Sequence, residues 1–246
     1  MSAPAARGQA TFVLGVAALV ALGSTVALGL SLPPTREQDE YARLIAIHPP
    51  LAWAAYVAFG VTAVASALYL WPRTRRRSWD RLAGASAEVG VVFTALTLAT
   101  GSIWGRPTWG VWWTWDARLT STALLLALFL GYLALRGVHA DLHTRAKRSA
   151  VAALVAVVDV PIVHFSVEWW RTLHQGRSLA QLRPQSDLDG SYTAVMLLGF
   201  VAMSLVYAWL LVQRYRVEAL EDQARDRGLE RALEERRAEA DPVAVP

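Results

Sequence analysis

The chain contains no cysteine among its 246 residues, and this absence excludes several kinds of chemistry. Without thiols it forms no disulfide, binds no metal through thiolates and carries no cofactor through a thioether link. The sequence also has no internal repeat of about 20 to 50 residues, which excludes solenoid architectures. A function for this chain must therefore be sought in its other side chains.

Charged residues make up only 18% of the chain, while 54% of the residues are hydrophobic and the mean hydropathy is +0.31. A soluble domain of this length would rarely be so apolar, and long uncharged segments indicate membrane helices. The net charge of +4 and the isoelectric point near 9.7 are compatible with nucleic-acid binding. We favour membrane orientation as the explanation, because the positive residues lie between the apolar segments.

Six apolar segments are long enough to cross about 30 Å of hydrocarbon. They cover, approximately, residues 11–32, 44–71, 82–103, 119–135, 150–167 and 192–212. Backbone groups in lipid must be hydrogen-bonded within their own segment, so each segment is predicted to be an α-helix. The sequence thus predicts an all-α polytopic membrane domain over residues 1–212, with six transmembrane helices.

The two ends of the chain differ in character. The first apolar segment follows a short region with Arg7 and is similar to a signal peptide, but its 22 residues exceed a typical signal core. A retained helix is therefore favoured. Residues 213–246 alternate in charge and predict a cytoplasmic tail that is helical at first and then disordered. The alternatives are that the tail is only a solvent-exposed helix or that a partner protein docks on it.

Arginine and lysine residues indicate which way the helices point. If the N-terminus is cytoplasmic, the inner segments hold 17 of the 24 basic residues and the outer segments hold 7. Because basic residues are enriched in cytoplasmic segments, we expect both termini to be cytoplasmic. This orientation brings His48, the segment 104–118 and the segment 168–174 to the outer face.

The predicted outer loop between the third and fourth helices, residues 104–118, is rich in tryptophan. It contains five of the eleven tryptophans, together with Gly105, Pro107 and Gly110, which permit tight turns. Tryptophans also form belts at membrane interfaces, but a belt is spread over many helix ends. Five indoles in one short loop favour a binding surface for a flat aromatic ligand.

Two histidines, His48 and His174, are predicted on the same face as this loop. Each alone is compatible with an ordinary structural histidine, but as a pair they suit the two axial positions of a planar iron macrocycle. Arg118 and Arg106 bracket the loop, and guanidinium groups suit the carboxylates of such a ligand. For Arg106, interfacial anchoring or an ion pair with Asp116 is an equal alternative.

Further polar residues lie within or near the predicted spans. His164 shares a helix face with Glu168 and is a reserve ligand, although a structural pair is favoured. Asp159 and Glu88 lie within spans, where carboxylates suggest a functional role. For Glu88, extension of the side chain to the inner membrane surface is the alternative.

Two stretches resemble the signatures of a known family. Residues 104–121 are similar to the tryptophan-rich signature of haem-handling membrane proteins, and their ending Trp-Asp-Ala-Arg-Leu-Thr-Ser resembles cytochrome c maturation protein C, the haem exporter protein C (CcmC) family. Residues 161–176 resemble the second signature of that family. The likeness covers about residues 41–212. The larger haem lyase relatives have Trp-Asp-Pro where this chain has Trp-Asp-Ala. Pro49 and Asp159 depart from the family pattern, which has valine and asparagine there.

The resemblance implies a site and a role. It implies that His48 and His174 are axial ligands of non-covalently bound haem b. The other haem-contacting positions that we predict are Trp104, Trp109, Trp112, Trp113, Trp115, Asp116, Arg118, Trp169 and Trp170. A holder of this kind is not itself an enzyme, and no pair of nucleophile and base was found in the sequence.

The resemblance also implies a location and partners. Such proteins hold haem at the periplasmic face of the bacterial inner membrane and deliver it to a periplasmic haem chaperone (CcmE-like). They work with the ATPase and membrane subunits of an ABC transporter (CcmA-like and CcmB-like) and with a small single-span subunit (CcmD-like). The alternatives are a transporter that carries haem across the membrane and a haem lyase that acts directly on apocytochrome.

Overall fold

The computed structural model describes residues 4–138, 141–174 and 190–240, and the regular structure within these ranges is helical. The elements are α1 (Pro4–Leu30), a 3₁₀ helix (Glu40–Ala46), α2 (His48–Leu70), α3 (Arg77–Trp109), α4 (Ala117–Gly137), α5 (Leu142–Ala156), α6 (Asp159–Trp169) and α7 (Gly190–Ala240). Six helical segments of the described chain are long and apolar enough to cross a membrane, with α5 and α6 together forming one. The predicted all-α architecture with six spans is confirmed.

Small residues allow the central helices to approach closely. Ala58 of α2 is fully buried, and a Cβ atom on Gly90 of α3 would lie 3.1 Å from its Cβ and only 2.6 Å from the ring of Phe59. Phe59 in turn stacks on Phe129 of α4, with ring centroids 3.7 Å apart. Close packing of this kind holds membrane helices together, because lipid and protein interior are equally apolar.

Helix α3 extends beyond its predicted end at residue 103. Residues 104–109 are helical, and the helix ends at Gly110, which has a positive φ of 80° and donates its N–H to the Arg106 carbonyl. Pro107 lies inside the last turn, where it removes only one backbone hydrogen bond. The prediction of an irregular loop over residues 104–118 is therefore wrong for its first part, and the connection to α4 is short.

The fifth span is interrupted where α5 gives way to α6. Val157 and Val158 leave the α-helical pattern but keep right-handed helical dihedral angles, so the span continues across the break. Pro161 has no N–H and cannot donate to the Val157 carbonyl, which instead accepts from the Val160 N–H. Asp159 at the start of α6 is 5% exposed. Its Oδ2 atom has no hydrogen-bond partner in the described part of the chain.

Helix α7 continues without interruption from the sixth span into the charged tail. The first turns of the tail are not simply solvated, because an acidic or basic side chain in each contacts α3 or α4. The pairs are Arg214 with Glu88, Glu218 with Arg136, Asp222 with Arg81, and Asp226 with Arg77. Glu88 is thus held by an ion pair within the protein. The residues of the tail beyond Asp226 are exposed as far as residue 237.

Candidate functional site

A cavity of about 480 Å³ lies at one end of the helix bundle, between α2, α3, α4, α6 and α7. Its volume falls within the range of roughly 300 to 1,000 Å³ that is usual for cofactor sites. Aromatic side chains from four of these helices line it: Trp53, Tyr56, Trp104, Trp109, Phe165 and Phe200. Such a lining suits a large and flat apolar ligand.

His48 and His174 face each other in this cavity, with ring centroids 6.2 Å apart. When two imidazole nitrogens each lie about 2 Å from one metal ion, the ring centroids are roughly 6 Å apart. The separation therefore fits two imidazoles that share one iron atom. Within the described residues, no cluster of three or more metal-ligating side chains occurs.

The surroundings of His48 orient its ring. The hydroxyl of Thr100 donates to the Leu96 carbonyl at 2.8 Å, which leaves its oxygen to accept from Nδ1 of His48 at 3.0 Å. With the proton on Nδ1, the lone pair lies on Nε2, the nitrogen that can bind a metal. A Cβ atom on Gly101 would lie 2.9 Å from Cε1 of His48. Any larger residue at this position would therefore displace the His48 ring.

The position of His174 depends on Asp116. Asp116 caps α4 by accepting the Leu119 N–H at 2.8 Å, and its other oxygen accepts the Thr172 hydroxyl at 2.6 Å. The Thr172 oxygen accepts the backbone N–H of His174 at 3.0 Å. Asp116 is therefore not a lining residue of the cavity but a residue that positions one of its histidines.

The predicted tryptophans divide into two groups. Trp104 and Trp109 line the cavity; the ring of Trp104 meets His48 edge-on at 5.7 Å, and the ring of Trp109 lies 6.1 Å from His174. Five other predicted tryptophans are not lining residues of this cavity: Trp112, Trp113, Trp115, Trp169 and Trp170. Most of this second group is strongly exposed, and Trp115 reaches 81%. They lie outside the cavity lining, with Trp113 against Trp115 and Trp169 against Trp170.

The two predicted arginines also differ. Arg118 lines the cavity and donates to the His164 carbonyl at 2.9 Å. Arg106 is exposed and donates to the Gly110 carbonyl at 2.6 Å, so it closes the end of α3. No ion pair between Arg106 and Asp116 is present among the described residues.

Several lining residues carried no signal in the sequence. Gln38 precedes the second span and accepts the Trp104 indole N–H at 3.2 Å. Tyr56 lies deep in α2 against His164, with ring centroids 6.1 Å apart. Glutamine in a loop and tyrosine in an apolar helix are common, so only the fold reveals that they line the same cavity as the histidines. The reserve residue His164 lies in the cavity wall as well.

The fold and the site together define a multi-pass membrane protein whose cavity, at one end of the helix bundle, carries two facing histidines and an aromatic lining. Residues 3–230 match the family model described as "CcmC: Heme exporter protein C". The chain belongs to this family. The match covers nearly the whole length of the chain, including the cavity and the first turns of the charged tail.

Curated relatives agree with the family match. The chain is 38% identical over 208 residues to the heme exporter protein C of Haemophilus influenzae, covering 84% of this chain and 83% of the relative. It is 34% identical over 205 residues to that of Escherichia coli K12, with 82% and 81% covered. It is also similar to a putative cytochrome c biosynthesis ccmC-like mitochondrial protein of Arabidopsis thaliana, at 36% identity over 163 residues, with 66% and 60% covered.

Proposed function

We propose that this protein holds non-covalent haem b at the periplasmic face of the bacterial inner membrane and delivers it to a periplasmic haem chaperone for c-type cytochrome maturation. The observation that carries the proposal is the 6.2 Å separation of the His48 and His174 rings inside an aromatic cavity. This separation fits two axial imidazoles on one iron. The membership of the heme exporter protein C family supports the same cargo.

Each part of the site has a distinct task in this proposal. His48 and His174 bind the iron, while Trp104 and Trp109 cover the macrocycle. Arg118 lies in the cavity wall and provides positive charge for a propionate. Haem supplies only its own iron and ring chemistry, and the protein binds and orients it.

The exposed tryptophans serve delivery rather than retention. Trp112, Trp115, Trp169 and Trp170 are each more than half exposed beside the cavity, and exposed aromatic residues are enriched at protein interfaces. We assign this surface to the contact with the chaperone (CcmE-like). In the same proposal the protein works with ABC transporter ATPase and membrane subunits (CcmA-like and CcmB-like) and with a small single-span subunit (CcmD-like).

The test is the visible absorption spectrum of the full chain, purified in detergent after expression with the partner proteins. We expect a low-spin spectrum typical of two imidazole ligands. Replacing His48 and His174 together by alanine should remove the bound haem, because these two imidazoles are the ones that the proposal assigns to the iron. The matched control is His143→Ala, which removes an exposed histidine at the opposite end of the bundle.

Three results would contradict the proposal. Full haem retention with an unchanged spectrum in the double variant would show that other side chains bind the iron. Direct formation of a thioether between haem and apocytochrome by this chain alone would favour a lyase instead. Haem bound at the opposite end of the bundle, where Arg75, Arg76 and Arg77 lie, would favour a transporter that carries haem across the membrane.

A further inference from the structure

A second cavity, of about 300 Å³, lies at the opposite end of the bundle from the histidine pair. The end of α2, the beginnings of α3 and α5, and one turn of α7 enclose it. Four arginines and two aspartates contribute to its lining: Arg75, Arg76, Arg77, Arg145, Asp80 and Asp222. The proposed handling of haem makes no use of this cavity.

The two lining aspartates are already neutralised by arginines. Asp80 contacts Arg136 at 2.6 Å and Arg145 at 3.1 Å, with all three side chains largely buried. Asp222 contacts Arg81 at 3.2 Å. Of the lining arginines, Arg145 is paired with Asp80 and Arg77 with Asp226, so the positive charge left to the cavity lies mainly on Arg75 and Arg76.

Two arginines at the rim, Arg75 and Arg76, keep their positive charge available, because neither forms an ion pair with a described residue. Arg75 donates to the neutral carbonyls of Tyr69 and Leu70. Arg76 is exposed and forms no ion pair with any described residue, while Arg77 is about half exposed and pairs with Asp226 at 3.0 Å. The rim therefore offers several guanidinium donors to an anion, and phosphate is the anion that such donors suit best.

The cavity lies at the level of a membrane interface. Trp71 at the end of α2 is 58% exposed, as is usual for tryptophan at the boundary between lipid and water. A small apolar cluster of Tyr69, Ala146 and Ala150 lies beside the cavity. Further along α5, Val151 and Val155 are exposed on the outside of the bundle and present an apolar surface to the acyl chains of lipids.

We propose that this cavity binds the phosphate headgroup of an anionic phospholipid from the leaflet on the arginine-rich face. Basic pockets between membrane helices bind such headgroups, and the excess of basic residues assigns this face to the cytoplasm. Arg76 and Arg77 contact the phosphate at the rim, and the acyl chains extend along the exposed face of α5. Free phosphate shares the headgroup chemistry, but only the lipid uses the adjoining apolar surface.

The experiment measures lipid retention by native mass spectrometry of the full chain, released from nanodiscs that contain equal amounts of phosphatidylglycerol and phosphatidylcholine. We expect wild-type protein to retain phosphatidylglycerol in preference to phosphatidylcholine. In R76Q/R77Q this preference should fall about 25-fold, because each basic residue near an anionic surface contributes a factor of about five. Arg76 is exposed and forms no ion pair with a described residue, and Arg77 loses only its surface ion pair with Asp226, so the fold should persist, and retained haem serves as the check.

The matched control is R73Q/R227Q, which removes two exposed arginines that do not line the cavity. It should retain phosphatidylglycerol as the wild type does. An equal loss in both double variants would overturn the site in favour of non-specific charge attraction. Unchanged retention in R76Q/R77Q would overturn it as well.

Two further arms separate the sources of the anion. Inorganic phosphate, added at millimolar concentration, should not displace the lipid; displacement would assign the cavity to soluble phosphate instead. Co-purification of the ATPase subunit is measured with the same variants. Loss of the ATPase from R76Q/R77Q, without any lipid preference in the wild type, would make this surface a protein-docking site and would overturn the lipid assignment.

Discussion

The carboxylate of Asp116 accepts the hydroxyl of Thr172 at 2.6 Å, although 56 residues separate them in the chain. The same carboxylate caps α4, so the segment that carries His174 is attached to a helix end rather than to a free loop. One of the two facing histidines therefore takes its position from a side chain that does not line the cavity. This relationship explains how a short connecting segment can present an imidazole in a defined place.

Replacing Thr172 by valine should loosen His174 without changing the volume of the side chain. The substitution removes the bond to Asp116 and the acceptor for the His174 N–H. A hydrogen bond to a charged group contributes about 1.5 to 3 kcal/mol, so we expect haem to dissociate at least tenfold faster. The measurement is haem transfer to an excess of apomyoglobin, followed by absorbance.

The control for this variant is Thr120→Val. Thr120 is exposed and lies one turn into α4, and its side chain belongs neither to the cavity nor to the contacts of the Asp116 carboxylate. It should release haem at the wild-type rate. Equal rates for Thr172→Val and wild type would show that His174 holds its position by other means.

The sequence was sufficient to predict the helices but not their connections. Apolar length determines a membrane span, so the six spans followed from composition alone. The sequence predicts the end of α3 six residues too early, because Gly105 and Pro107 are typical of turns, whereas Pro107 lies within the last helical turn. A proline near the end of a helix costs one hydrogen bond, and the positive φ of Gly110 determines where the helix stops.

The candidate site was predictable in part for a related reason. His48 and His174 were identified because both fall on one face once the spans are counted, and the structure brings them into one cavity. The contacts that orient them were not predictable. Thr100 lies 52 residues from His48 in the chain, and a threonine within an apolar helix is usually bonded only to its own backbone.

Replacing Thr100 by valine should alter the ligand properties of His48. Thr100 accepts the proton of Nδ1, and such partners fix the tautomer and raise the basicity of the metal-binding nitrogen. Without this acceptor, haem affinity should fall about 10- to 100-fold. A less basic ligand stabilises ferric iron less, so the midpoint potential of the bound haem should rise.

Potentiometric titration of the purified holoprotein provides the measurement. Thr62→Val is the control, since Thr62 is a fully buried threonine that bonds to the Ala58 carbonyl outside the cavity. A purely structural defect would lower the haem content and leave the potential of the remaining haem unchanged. Such a result would contradict the assigned role of Thr100.

Substitution of Gly101 by alanine tests whether haem binding requires the observed position of the His48 ring. The new Cβ atom would approach Cε1 of His48 to 2.9 Å, closer than carbon atoms allow, so the ring must move. We expect weaker haem retention and a spectrum with a high-spin component. Gly60→Ala is the control: nothing lies within 4 Å of the added atom, and alanine in a helix should stabilise that variant slightly. A normal low-spin spectrum in Gly101→Ala would indicate that the cavity adapts without loss of the ligand.

Arg136 should contribute strongly to the stability of the arginine-rich end of the bundle. It contacts Asp80 at 2.6 Å and Glu218 at 3.5 Å, and all three side chains are about one-tenth exposed. Replacing Arg136 by methionine leaves two largely buried carboxylates with less compensation, and loss of one partner from a buried ion pair costs about 3 to 5 kcal/mol. Thermal unfolding in detergent should therefore shift to lower temperature, whereas Arg231→Met, in an exposed part of the tail, should unfold like the wild type.

Adding Glu218→Gln to Arg136→Met removes one of the uncompensated charges and should recover part of the lost stability. If the second substitution lowers the unfolding temperature further, the tail is held by packing of α7 against α3 rather than by charge.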